Sequence, residues 1–190
     1  MIADLFAVWR TVLTRPSVPT FDEQKPNATN ERTLTGVIIA AIASAVLAAV
    51  FVAIFPVYSP MAIEAGAPGA LTTLVRTFIQ TILGFYVFCY VLQFVATRLF
   101  GGQGVFDQQA YLISTYWVPI SIVGQGLVFI RVIGPFIGLL ALAYGLVLTT
   151  FAVQSGQRVS VGNAILSWVV AAIVTGIILA ILGTLTGGWL

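Results

Sequence analysis

The sequence predicts an all-α integral membrane protein with five transmembrane helices and an amphipathic helix ahead of them. Three observations carry this reading. Hydrophobic residues make up 59% of the 190 and charged residues 7%, against roughly 45–50% and about 25% in a soluble domain. Mean hydropathy is +1.06. The apolar residues also gather into runs of bilayer-crossing length, each bounded by Gly, Pro or a charged side chain. So few charges could not cover the surface of a water-soluble globule.

The N-terminal element comes first. Ile2, Leu5, Phe6, Trp9, Val12 and Leu13 recur at helical spacing and form one apolar stripe, with Asp4, Arg10 and Thr11 off it and Pro16 ending the pattern. This fits a short helix in the membrane interface, anchored by Trp9, Arg10 and Arg15. A helix packed on the rest of the protein fits the same spacing. Residues 17–33 are rich in Asp, Glu, Lys, Arg, Asn and Pro and read as a polar linker. The organisation expected is therefore a cytoplasmic segment, 1–33, and a membrane domain, 34–190.

Five spans follow. They run near Leu34–Val57, Val75–Thr97, Ala110–Ile130, Ile133–Gln154 and Ala164–Leu185. Breakers separate them: Pro56, Pro60 and Pro68, then Gly101, Gly102 and Gly104, then Gly134-Pro135, then Gly156 and Gly162. The third span is the least regular, because Pro119 and Gly124-Gln125-Gly126 could turn it into a re-entrant segment with four crossings in all. With five crossings and the N-terminus inside, the inner side holds Arg10, Arg15, Lys25, Arg32, Arg98 and Arg158, and the outer side only Arg76 and Arg131. Basic residues favour the cytoplasmic side, so the expected orientation is N-in, C-out.

Lipid gives helices no hydrophobic reason to associate, and small residues permit close backbone approach instead. The first span carries two such stripes, Gly36, Ala40, Ser44, Ala48 and Ala41, Ala45, Ala49, Ala53. They suit a neighbouring span or a second copy of the chain.

Composition excludes several functions. There is no histidine and one cysteine, Cys89, so a zinc site and an internal disulfide are both ruled out. No cofactor motif, phosphate loop or nucleophile elbow is present, and no enzyme is expected. A net charge of +2 gives no footing for nucleic acid. The span centres hold no ionisable carboxylate, which argues against a proton relay. The polar candidates are neutral: Gln80 and Gln93 in the second span, Ser114, Pro119 and Gln125 in the third. They could line a binding site or pore, Gln125 beside a carbonyl freed by a broken helix. They could equally bond neighbouring helices.

Phe100-Gly101-Gly102-Gln103-Gly104-Val105-Phe106 leads into the third span, Tyr116-Trp117-Val118-Pro119 follows inside it, and Tyr144 stands in the fourth. With Leu13-Thr14-Arg15-Pro16 near the start, the pattern resembles the Yip domain family, the Ypt/Rab-interacting proteins, in its prokaryotic form. Gly101, Gly102, Pro119 and Tyr144 are the matching positions. The resemblance implies five crossings, N-in and C-out. Eukaryotic members act in ER and Golgi vesicle traffic and bind prenylated Rab-type GTPases through a cytosolic region longer than residues 1–33 here. Prokaryotic members are inner-membrane proteins with no assigned reaction. The expected function is organisation of the membrane or of partner proteins, in a prokaryotic plasma membrane, or in the ER or Golgi for a eukaryotic source. A small channel or carrier for an ion or neutral solute stays open beside it, to be decided by whether the amides converge on one cavity.

Overall fold

A computed structural model describes residues 2–55, 69–127, 130 and 134–186. Among them the chain forms seven α-helices: α1 (Ile2–Thr14), α2 (Val18–Gln24), α3 (Asn30–Ile54), α4 (Ala70–Phe100), α5 (Phe106–Leu127), α6 (Gly134–Gln157) and α7 (Val161–Leu185). Local chemistry sets their ends. Ser17, Thr29 and Ser160 cap α2, α3 and α7, each side-chain oxygen accepting from a backbone N–H three residues on. Gly101 stops α4 in the left-handed region, at φ 68°, and the Gly102 N–H returns to the Ala96 carbonyl at 2.8 Å.

The long helices close a ring. α3 packs on α4 and α5, α4 on α7, α7 on α6, and α6 on α5. Both small-residue stripes of α3 serve this packing: Gly36, Ala40, Ala41, Ser44, Ala45, Ala48 and Ala49 are buried within the chain, and Ala53 alone faces out. The outward faces of α3, α6 and α7 carry Ile42, Val46, Leu139, Leu142, Ile173 and Ile177, all exposed. Such a belt belongs in hydrocarbon.

Four helices, α3, α4, α6 and α7, have the length and hydropathy of membrane spans. α5 does not join them on composition, although the sequence marks a span there. Its residues 109–116 are buried inside the chain, so the helix meets its neighbours more than lipid and tolerates Gln109, Ser114 and Thr115. α5 is one continuous helix through Pro119. The junction between the third and fourth expected spans, with Arg131, lies outside the described residues except for Ile130.

The N-terminal segment departs from the interface expectation. Leu5, Trp9 and Val12 are buried, and Leu5 and Trp9 pack with Ala40 and Val118. Trp9 is therefore not an anchor in lipid, since only 5% of it is exposed. An apolar stripe fits a protein groove as well as a bilayer, and here the groove between α3 and α5 takes it. Phe6, Arg10 and Arg15 stay on the outer side of α1. The stretch expected as a polar linker contains α2 and a 3-10 turn, Lys25–Asn27. Phe21 is fully buried and meets Tyr116 edge to face, 6.2 Å between ring centroids.

Candidate functional site

Two polar arrangements and one cavity organise the bundle. The first is a clasp between two loops at the end where α3 begins. The Gln93 side chain of α4 donates to the Gly104 carbonyl at 2.7 Å. The Gln157 side chain, last residue of α6, donates to Gln93 Oε1 at 2.5 Å and accepts the Gly104 N–H at 3.1 Å. The Gln103 N–H reaches the Gln157 backbone carbonyl at 3.0 Å. Two amide side chains thus bond both the N–H and the C=O of Gly104 and tie the α4–α5 loop to the end of α6. Glycine is required by space. A Cβ on Gly102 would lie 2.7 Å from Gln157 Oε1, one on Gly104 would strike the Gly156 carbonyl oxygen, and one on Gly156 would lie 2.5 Å from Gln109 Oε1.

The second arrangement docks the N-terminal segment. The Tyr144 hydroxyl donates to the Leu13 carbonyl at 2.6 Å. That carbonyl is one of those left open at the C-terminus of α1, so Tyr144 caps the helix from outside. Ser155 donates to Asp22 Oδ1 at 2.7 Å, and Lys25 pairs with the same oxygen at 2.6 Å. Partial burial pushes the Asp22 carboxyl up. The hydrogen bonds from Lys25 and Ser155, with the charges of Lys25 and Arg158, outweigh this and hold it below the usual aspartate value.

Docking of α2 is accordingly strongest with Asp22 ionised. A carboxylate whose value is lowered by folding stabilises the fold at neutral pH and loses that contribution as pH falls below about 4. Protection factors of the α2 amides, with the intrinsic pH dependence of exchange divided out, should fall on acidification through that range, and the Asp22→Asn variant should show the lower protection already at pH 7 with no further step.

The third feature is a cavity of about 360 Å³ between α4, α5 and α6. Gln80, Gly84 and Phe88 line it from α4, Trp117, Ile120 and Ser121 from α5, and Ala141, Gly145, Leu146 and Thr149 from α6. At its side the Tyr116 hydroxyl meets Thr149 Oγ1 at 2.8 Å. Thr149 spends its own proton on the Gly145 carbonyl, so Tyr116 is the donor.

The residues singled out in the sequence are scattered over these arrangements. Gln80 lines the cavity. Gln93 lies in the clasp, thirteen residues further along α4, about 20 Å away at 1.5 Å per residue. Ser114 bonds the Tyr111 carbonyl of its own helix at 2.7 Å. Pro119 sits within α5, and Gln125, half-buried near its end, is not among the residues lining the cavity. The amides do not converge. Gly101 and Gly102 shape the clasp loop and Tyr144 holds α1, so three of the four family-pattern positions have a visible structural task. Sequence reasoning missed Gln157 and the service that Gly104 and Gly156 give as contact points. The available signal was two glycine-bearing loops, each beside a glutamine, at the second and fourth breaks between apolar runs. Among the described residues no cluster of three or more potential metal ligands occurs.

An apolar ring of helices, fastened by neutral amides at one end and carrying its own N-terminal segment, defines an integral membrane protein of the helical-bundle class. Its sequence matches the Yip1 domain over residues 10–183, which is nearly the whole chain. The chain belongs to the Yip1 domain family. Among curated proteins and solved structures no match is found.

Proposed function

We propose that this chain is a non-enzymatic Yip-type protein that crosses the membrane five times, N-in and C-out, and organises partner proteins at the cytoplasmic side of a prokaryotic plasma membrane. The observation that carries the reading is the reach of the family match, which begins at Arg10 and so takes in most of the docked N-terminal segment as well as the spans. From residue 10 onward that segment falls within the match, and the outer face of α1 offers Phe6, Arg10 and Arg15 to whatever lies beside it.

Two features support the crossing number. α5 is 22 residues long, about 33 Å at 1.5 Å per residue, which matches a hydrocarbon core of about 30 Å. The clasp also bonds the α4–α5 loop to the α6 terminus, so α5 and α6 leave one end of the bundle and return to it. The six-to-two division of basic residues supports the orientation.

The test places a photoreactive phenylalanine analogue at Phe6 or at buried Val12 in the full-length chain, in its native membrane. A discrete protein adduct from position 6, and none from position 12, is the expected result. Lipid adducts alone from position 6 would overturn the partner-protein reading and assign this face to the bilayer.

A further inference from the structure

We propose that the cavity between α4, α5 and α6 holds one acyl chain of a bilayer phospholipid. The space exists because small residues face each other across it, Gly84 on α4 and Ala141 and Gly145 on α6. Exposed Leu142 and Leu146 stand at its rim, continuous with Leu139 and Leu140 on the outer face of α6. The phase at the mouth is therefore hydrocarbon.

The wall chemistry selects the occupant. Every hydroxyl among the described lining residues is already bonded inside the protein: Thr81 to the Thr77 carbonyl, Ser121 to the Val118 carbonyl, Thr149 to the Gly145 carbonyl and Tyr116 to Thr149. These hydroxyls ask for no polar ligand, and the rest of the wall is apolar apart from the Gln80 amide and the Trp117 indole N–H. No residue among the described lining is charged, so a free fatty-acid carboxylate would be buried there without a counter-ion, at heavy cost. An esterified chain leaves its headgroup at the membrane surface and avoids that cost. The gain on entry is dispersion contact with Phe88, Trp117 and Ile120, since transfer from lipid to an apolar cavity carries no hydrophobic term. Occupancy then follows from the abundance of lipid and not from tight binding, and the chain exchanges.

This inference does not depend on the partner reading, and its test reads a different face of the molecule. The full-length protein is placed in nanodiscs containing phosphatidylcholine with a diazirine in mid-chain, and adducts are mapped after illumination. Labelling is expected to concentrate on Phe88, Trp117, Ile120 and Leu146, above the level at Ile173 and Ile177 on the outer face of α7. Filling the cavity by Ala141→Phe, or separately by Gly145→Leu, should reduce cavity labelling to that belt level. Gly176→Leu adds similar bulk where a Cβ meets nothing within 4 Å and should change nothing. Equal labelling of cavity and belt in the wild-type chain would overturn the proposal whether or not the filled variants fold. So would cavity labelling that survives both fillings in folded protein. A diazirine fatty acid that labels the cavity in preference to the phospholipid would overturn the choice of an esterified chain.

Discussion

Gly104→Ala is expected to cost about 3 kcal/mol or more, the upper end of what overpacking a closed site costs. The added methyl would overlap the Gly156 carbonyl oxygen, which is backbone, and would also lie 3.0 Å from the Gln157 side-chain carbon. Neither loop can yield alone. Moving Gly156 drives it toward Gln109, and moving residues 102–104 breaks the bonds to Gln93 and Gln157. The effect is read as a fall in the unfolding midpoint of the purified protein in detergent. Gly101→Ala gives the comparison: nothing lies within 4 Å of its Cβ, and only the left-handed φ of 68° opposes the change, which costs about 1 kcal/mol. Equal losses at the two positions would show that the loops do not meet.

Gln157→Leu should be the next most damaging substitution, at about 2–3 kcal/mol. It removes a donor to Gln93 Oε1 and an acceptor for the Gly104 N–H at one stroke, both on half-buried residues, and each abandoned polar group costs about 1–3 kcal/mol when fully buried and less where water reaches it. Gln93→Leu should cost somewhat less, since it releases the Gly104 carbonyl and the Gln157 amide. Because the two glutamines share one network, the double variant should lose less than the sum of the singles, by about 0.5–3 kcal/mol. Additive losses in chemical denaturation would separate the two side chains.

Span positions were legible in the sequence because length and uniform apolarity suffice to mark them. α3, α4, α6 and α7 contain the runs expected, with ends displaced by a few residues where Thr29, Gly101 and Ser160 supply caps. α5 was less legible because burial among helices removes the demand for an apolar surface on every side. Trp9 shows a limit of periodicity: the 3.6-residue stripe identifies the buried face and is silent on whether protein or lipid buries it. α2 lay hidden in a charged stretch because its stability comes from Phe21 and Asp22 docking on distant α5 and α6. The clasp was illegible for the same reason. Gly104 and Gln157 are 53 positions apart and Leu13 and Tyr144 are 131 apart, and no local pattern connects them. Gly101, Gly102 and Tyr144 were found through a family pattern, and the structure supplies their physical reason.

The proposed organising role requires that the neutral side chains of this bundle fasten it together and do not conduct. Flux from liposomes containing the purified protein tests it most directly, with a panel of monovalent ions and small neutral solutes and with empty liposomes as the reference. The predicted result is the same leak in both preparations for every solute. Protein-dependent flux of any one of them, abolished by Gln80→Leu or Gln125→Leu, would contradict the account and place a pathway through the ring.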